Sequence, residues 1–77
     1  MIIFTSHALS KLEQRGILRA VVIETLRSPD YKFRSYSNRN IIYKKFDNLY
    51  LKVIYKIEDN NTIIITQYWE KNPKLIK

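Results

Sequence analysis

The sequence predicts an α+β domain in which an N-terminal helical hairpin packs on a four-stranded antiparallel sheet. Apolar residues recur with a helical period as far as residue 27, and beyond Pro29 short apolar runs alternate with polar residues between turn formers. The charge changes at the same point, since residues 1–31 carry a net charge of +1 and residues 32–77 carry +6. At 77 residues, we expect a single domain over 1–77.

The first helix is expected over His7–Arg15. Thr5 or Ser6 is a suitable N-cap, and Gly16 suits the left-handed residue that follows a helix. At 100° per residue, the apolar stripe consists of Ala8, Leu9 and Leu12. A basic ridge at i, i+4 and i+8 consists of His7, Lys11 and Arg15.

A second helix is expected from about Leu18 to Arg27, and Ser28-Pro29 ends it. Its predicted core ridge consists of Leu18, Val22 and Leu26, with Ile23 beside them. The link at Gly16-Ile17 is short, so the two helices are expected to form a hairpin.

Four strands are expected after Pro29. They are Tyr31–Tyr36, Ile41–Phe46, Leu49–Ile57 and Thr62–Trp69. The separators are all turn formers: Ser37-Asn38-Arg39-Asn40, Asp47-Asn48 and Asp59-Asn60-Asn61. Three successive hairpins predict an antiparallel meander.

Alternation along the third of these strands predicts one face towards the helices and one open face. The residues expected towards the helices are Leu49, Leu51, Val53, Tyr55 and Ile57, and those on the open face are Tyr50, Lys52, Ile54, Lys56 and Glu58. In the last strand the same count assigns Ile63 and Ile65 to the helices, and to the open face Thr62, Ile64, Thr66 and Tyr68.

Composition excludes several kinds of function. With no Cys and one His, a zinc site built from Cys and His is excluded, and we expect no metal and no cofactor. The N-terminus does not resemble a signal peptide and no apolar stretch is long enough to cross a bilayer, so a cytoplasmic protein without a membrane partner is expected. The net charge of +7 indicates an anionic partner, with nucleic acid first, an acidic protein second and a membrane surface third.

The open face is expected to be basic and aromatic. Lysines provide charge for a phosphate backbone and tyrosine rings stack on unpaired bases, which together suit single-stranded RNA. The residues expected to bind RNA are Lys11, Arg39, Lys44, Tyr50, Lys52 and Lys56. The alternative is ordinary cross-strand pairing, in which lysines only protect an exposed sheet.

Four residues have side chains suited to RNA cleavage without a metal ion. His7 can transfer a proton, Arg15 can stabilise charge on the phosphate, and Thr66 and Tyr68 can position or protonate. A solvated basic helix face is the alternative interpretation of His7 and Arg15.

Residues His7–Ile17 resemble a family of small bacterial and archaeal domains with the signature H-A-x-x-[RK]-x-x-x-R-G-I. The resemblance extends to Ser28-Pro29-Asp30, Val53–Tyr55 and Ile64–Tyr68. That family is similar to RelE/ParE-type toxins of the barnase-EndoU-colicin-RelE group. Lys11 stands where Arg is more usual, Leu12 stands where Met is frequent, and the tail after Trp69 lacks an Arg-rich ending.

The resemblance implies a RelE-like fold with helices packed on an antiparallel sheet. It also implies a toxin-type endoribonuclease that cleaves RNA by attack of the 2'-hydroxyl, paired with a small antitoxin protein. By position, the family's functional residues fall on His7, Arg15, Thr66 and Tyr68. The other hypothesis from the residues is a non-catalytic module that binds RNA or an acidic protein through the basic sheet.

Overall fold

The first helix has the capping residues that its sequence predicts. The computed structural model describes residues 1–35 and 37–75, and α1 spans Ser6–Arg15. The Thr5 hydroxyl accepts the N–H of Ala8 at 3.0 Å, which satisfies one of the free donors of the first turn. Gly16 has a φ of 60°, in the left-handed region where glycine has no Cβ strain. Both capping predictions are therefore confirmed.

The second helix, α2, spans Arg19–Arg27. Leu18 precedes it as the N-cap and its side chain is 70% exposed, so the prediction that Leu18 belongs to the core ridge is wrong. Val22 is buried as predicted, and Thr25, which the predicted ridge does not include, is buried as well. Thr25 is satisfied because its hydroxyl donates to the Val21 carbonyl one turn earlier, at 2.9 Å.

The sheet has five strands in the order β1-β5-β4-β3-β2. Their bounds are β1 Ile2–Phe4, β2 Tyr31–Arg34, β3 Asn40–Phe46, β4 Leu49–Glu58 and β5 Asn61–Glu70. Strands β2 to β5 form the predicted antiparallel meander, but β1 adds a fifth strand that runs parallel to β5. The α+β class and the packing of two helices on the sheet are confirmed. The prediction of a four-stranded, purely antiparallel sheet is wrong. The predicted strand Tyr31–Tyr36 ends at Arg34, and Tyr36 lies outside the described residues.

Both helices cover the same face of the sheet, with α1 against β5 and β1 and α2 against β4 and β3. The buried apolar residues between the layers are Ala8, Leu12, Ile17, Val22, Ile42, Leu51, Val53, Tyr55 and Ile64. Phe46 and Trp69 pack edge to face at the margin of this core, with ring centroids 5.9 Å apart. The other face of the sheet has no helix from the described residues upon it.

A β-bulge in β5 changes which residues face the helices. Ile54 pairs with Thr66 but its neighbour Tyr55 pairs with Ile64, so Ile65 is an extra residue on β5. Ile64 is fully buried in the core.

Because of the bulge, the predicted faces of β5 are wrong before Ile65 and correct after it. The assignments of Ile63 to the helices and of Ile64 to the open face are wrong, because strict alternation allows no extra residue. Thr62 has the same alternation phase as Ile64 and also lies on the helix side. Beyond the bulge the phase is restored, so Thr66 and Tyr68 lie on the open face as predicted, opposite Ile54 and Lys52 respectively.

Candidate nucleic-acid interface

The open face is organised into cross-strand rows by the register of β2 to β5. One row consists of Tyr31, Tyr43, Lys52 and Tyr68, and the next of Phe33, Ile41, Ile54 and Thr66. Directly opposite residues on one face of antiparallel strands lie within contact distance. The rows therefore place a lysine between two tyrosines at the centre of the face.

Lys52 lies between the rings of its two row neighbours. Its Nζ is 5.3 Å from the centre of the Tyr68 ring and 5.6 Å from that of Tyr43, which is the geometry of a cation–π contact on both sides. Partial burial works to lower the pKa of Lys52, but attraction to the Tyr68 and Tyr43 hydroxyl groups outweighs it and leaves that pKa above its ordinary value. Lys52 is therefore a cation at neutral pH and not a proton acceptor.

Tyr43 supports this arrangement from within the sheet. Its side chain is only 7% exposed although it lies on the open face, and Phe33 packs edge-on against it with ring centroids 6.0 Å apart. Sequence reasoning missed Tyr43. The alternation within β3, which places Tyr43 and Lys45 on one face, was the signal that could have identified it.

Arg15 approaches the same row from the edge of the sheet. In the structure β1 pairs with residues 62–64 of β5. After β1 the chain enters α1, and Arg15 at the end of this helix lies beside β5. The Arg15 guanidinium donates to the Gln67 carbonyl at 2.8 Å and to the Thr66 hydroxyl at 3.4 Å. It also lies 5.4 Å from the centre of the Tyr68 ring.

These contacts bring four predicted site residues into one group, which we call the Tyr68 cluster: Arg15, Lys52, Thr66 and Tyr68. Two cations lie within cation–π distance of the Tyr68 ring: Arg15 at the end of α1 and Lys52 of β4. Three of the four residues predicted to be catalytic lie in this cluster. Such a group can bind an anion beside the Tyr68 ring, because two positive charges lie within 5.4 Å of its centre.

Gln67 fixes the helix that carries Arg15. Its side chain is fully buried, and its Nε2 donates to the Ala8 carbonyl of α1 at 2.9 Å. Its Oε1 has no hydrogen-bond partner among the described residues, a desolvation cost of about 1–3 kcal/mol. Gln67 thus connects α1 to β5 directly behind the Tyr68 cluster.

His7 makes no hydrogen bond to the Tyr68 cluster in the described part of the chain. It is exposed in the first turn of α1, and its imidazole makes no hydrogen bond to another described residue. It precedes Arg15 by eight positions, so the two residues are about two turns and about 12 Å apart along the helix axis. Lys11, between them on the ridge, donates to Gln14 at 3.0 Å.

The remaining residues predicted to bind RNA are distributed unevenly. Tyr50 and Lys56 lie on the open face, where Lys56 is 3.6 Å from the Glu58 carboxylate, and Arg39 is exposed in the turn before β3. Lys44 faces the other way, since it alternates with Tyr43 and its Nζ donates to the Ser28 carbonyl after α2 at 2.9 Å. Its neighbour Lys45 occupies the open face instead.

Two further properties concern the described part of the chain. Among residues 1–35 and 37–75, no three His, Cys, Asp or Glu side chains come together as a metal site would need. No helix within these same ranges has the length and apolar character to span a bilayer.

Fold and site together define a small α+β domain with a basic, tyrosine-rich sheet face opposite its helices. The chain belongs to the family described as a domain of unknown function, DUF4258, whose model matches residues 4–69. The match includes both helices and the whole Tyr68 cluster. No curated protein and no solved structure matches the chain.

Proposed function

We propose that this domain binds RNA on its open face and cleaves it as a metal-independent endoribonuclease of the RelE-like toxin type. The observation that carries the proposal is the position of Tyr68 between two cations, Arg15 and Lys52. The resemblance of His7–Ile17 to domains similar to RelE/ParE-type toxins supports the same function.

In this proposal the Tyr68 cluster holds the phosphate that is cleaved. The 2'-oxygen attacks phosphorus, and negative charge builds on the phosphate oxygens before the bond to the 5'-oxygen breaks. Arg15 and Lys52 stabilise this charge. The planar Arg15 guanidinium is already oriented by its bond to Gln67, so little reorganisation is needed.

Tyr68 is the proton donor in this mechanism. Its hydroxyl protonates the departing 5'-oxygen, the proton of the 2'-hydroxyl passes to water, and the phenolate that remains lies between two cations. Lys52 does not accept the proton of the 2'-hydroxyl, because its pKa is raised. His7, about 12 Å further along α1, contacts the RNA backbone beside the cleaved nucleotide.

The proposed protein partner is a small acidic antitoxin. The net charge of +7 favours an acidic partner, and Lys45, Lys52 and Lys56 provide positive charge on the open face for such a chain. An antitoxin that covers the open face would compete with RNA for Lys52 and Tyr68.

The first test is cleavage of single-stranded RNA by the purified protein in excess EDTA. We expect products with 2',3'-cyclic phosphate ends, and we expect Tyr68→Phe to reduce the rate about 10²- to 10⁴-fold, as removal of a general acid does. The matched substitution His7→Ala is expected to reduce the rate less than about tenfold, since proximity governs proton transfer. A larger loss of cleavage rate for His7→Ala than for Tyr68→Phe would instead identify His7 as the residue that transfers the proton.

A second candidate function is RNA binding without cleavage. The position of His7 outside the Tyr68 cluster favours this candidate. Cleavage needs a proton acceptor as well as a proton donor, and the cluster itself provides only the donor, Tyr68. Salt-sensitive RNA binding without cleavage, in the presence or absence of ribosomes, would support this candidate over the first.

A further inference from the structure

A cleft of about 400 Å³ lies at one end of the open face, beside the Tyr68 cluster. It is lined by Asp30, Tyr31, Lys45 and Tyr50. The cleavage mechanism uses none of these residues. The volume falls within the range of small-ligand sites in proteins.

The two tyrosine rings make this cleft suitable for a flat ligand. The centroids of Tyr31 and Tyr50 are 6.4 Å apart and their planes are inclined by 56°. Rings inclined in this way form an open wedge, so a planar base can stack on one ring while its edge contacts the other. Base stacking on aromatic rings is the usual way in which proteins hold unpaired RNA bases.

The charges around the wedge indicate which edge of a base it accepts. Asp30 is held firmly: its backbone N–H donates to the Tyr43 carbonyl at 2.8 Å, and its Oδ2 accepts the N–H of Lys45 at 2.8 Å. Its Oδ1 has no hydrogen-bond partner among the described residues. Glu70, directly opposite Tyr50 in the register, adds a second carboxylate to the same end.

Carboxylates accept hydrogen bonds and repel phosphate and carbonyl oxygens. They pair with amino groups such as N4 of cytosine, whereas uracil presents a carbonyl oxygen at that position. Lys45 also lines the cleft, so this end of the open face has carboxylate acceptors beside one cation, whereas the Tyr68 cluster has two cations that attract phosphate.

We propose that the Tyr31–Tyr50 cleft binds an unpaired RNA base that carries an exocyclic amino group, next to the phosphate held at the Tyr68 cluster. The inference rests on the proposed binding of RNA to the open face and adds a base preference to it. Tyr50 and Lys52 are alternate residues of β4, about 7 Å apart along the strand, so one RNA strand contacts both sites.

The test compares hexamers of 2'-O-methylcytidine and 2'-O-methyluridine, which cannot be cleaved by attack of a 2'-hydroxyl. Fluorescence anisotropy at one salt concentration gives both affinities. We expect the wild-type domain to bind the cytidine hexamer about 5- to 10-fold more tightly, the low end of discrimination by a base-edge contact.

Four variants separate stacking from charge. Tyr50→Leu should weaken both hexamers at least about 5-fold, while Tyr50→Phe, which keeps the ring, should stay within about 2-fold of wild type. Asp30→Asn keeps an oxygen to accept the Lys45 N–H but loses the charge, so it should remove the preference for cytidine. Tyr31→Leu provides a second test of stacking, and thermal melting confirms that each variant is folded.

The results distinguish this inference from the proposed function. Salt-sensitive binding of both hexamers with equal affinity, unchanged by Tyr50→Leu and Tyr31→Leu, would overturn the base site and leave RNA binding intact. No binding of either hexamer would overturn both.

Discussion

Gln67 and Tyr68 are neighbours in β5 whose side chains point to opposite faces, and Arg15 contacts both residues. The Gln67 side chain anchors α1 through Ala8, while its carbonyl accepts the Arg15 guanidinium that lies over Tyr68. Structure and proposed chemistry therefore depend on the same two positions. Arg15 was predictable as a cation near phosphate, but its contact with Tyr68 depends on the path of α1 along β5.

Substitution of Arg15 should affect binding and cleavage differently. Arg15→Ala removes a charged hydrogen-bond donor, so we expect RNA affinity to fall about 10- to 100-fold. Arg15→Lys restores the charge without the planar guanidinium, so it should recover binding more fully than cleavage. Binding isotherms and single-turnover cleavage rates measure the two effects.

Arg19→Ala is the matched control for Arg15. Arg19 also lies over an aromatic ring, 5.4 Å from the centre of Phe4, but it stands at the start of α2 on the helix side. We expect its removal to leave RNA affinity unchanged. Equal losses from both arginines would indicate a general effect of net charge and would contradict a specific site at Tyr68.

At the level of elements, the caps and the turns were predictable and the bulge was not. Thr5 and Gly16 act through contacts within a few residues, so local sequence is sufficient to predict them. Asp59 and Asn60 have positive φ angles, as a two-residue hairpin turn requires, and the sequence marks this turn clearly. The extra residue Ile65 is defined by the way β5 pairs with β4. The alternation of residues within β5 alone does not indicate it.

Strand β1 was missed for a related reason. It has three residues and pairs in parallel with β5, sixty residues later in the sequence. Parallel pairing has no adjacent turn to mark it, and three apolar residues alone do not distinguish a strand from a disordered end.

The bulge can be tested by two neighbouring isoleucines. Ile64 is fully buried in the core, so Ile64→Ala should lower the free energy of unfolding by about 2–5 kcal/mol. Ile63 is half-buried on the other face, and Ile63→Ala should cost only about 1 kcal/mol. Denaturant unfolding of both variants checks the difference. A larger loss at Ile63 would mean that β5 follows strict alternation without the bulge.

Over the whole molecule, both helices lie on one side of the sheet, and Lys45, Lys52 and Lys56 lie on the other. The basic, aromatic character of the open face was predictable because alternation in β4 separates Lys52 from Val53. Lys44 is expected to bind RNA because it lies near the Arg39 turn, but it points to the helix side, since it alternates with Tyr43. The proximity of Arg15, Lys52 and Tyr68 could not be predicted, since three separate elements supply them.

The salt dependence of RNA binding tests the central claim most directly. For single-stranded RNA, the logarithm of affinity should fall with the logarithm of salt concentration, with a slope of about −0.7 for each phosphate contact. Lys52→Gln should make this slope shallower by about 0.7. Lys32→Gln is the control, because Lys32 is exposed on the helix side of β2 and should leave the slope unchanged. A slope near zero for the wild-type domain, or the same change for both variants, would contradict a phosphate site on the open face.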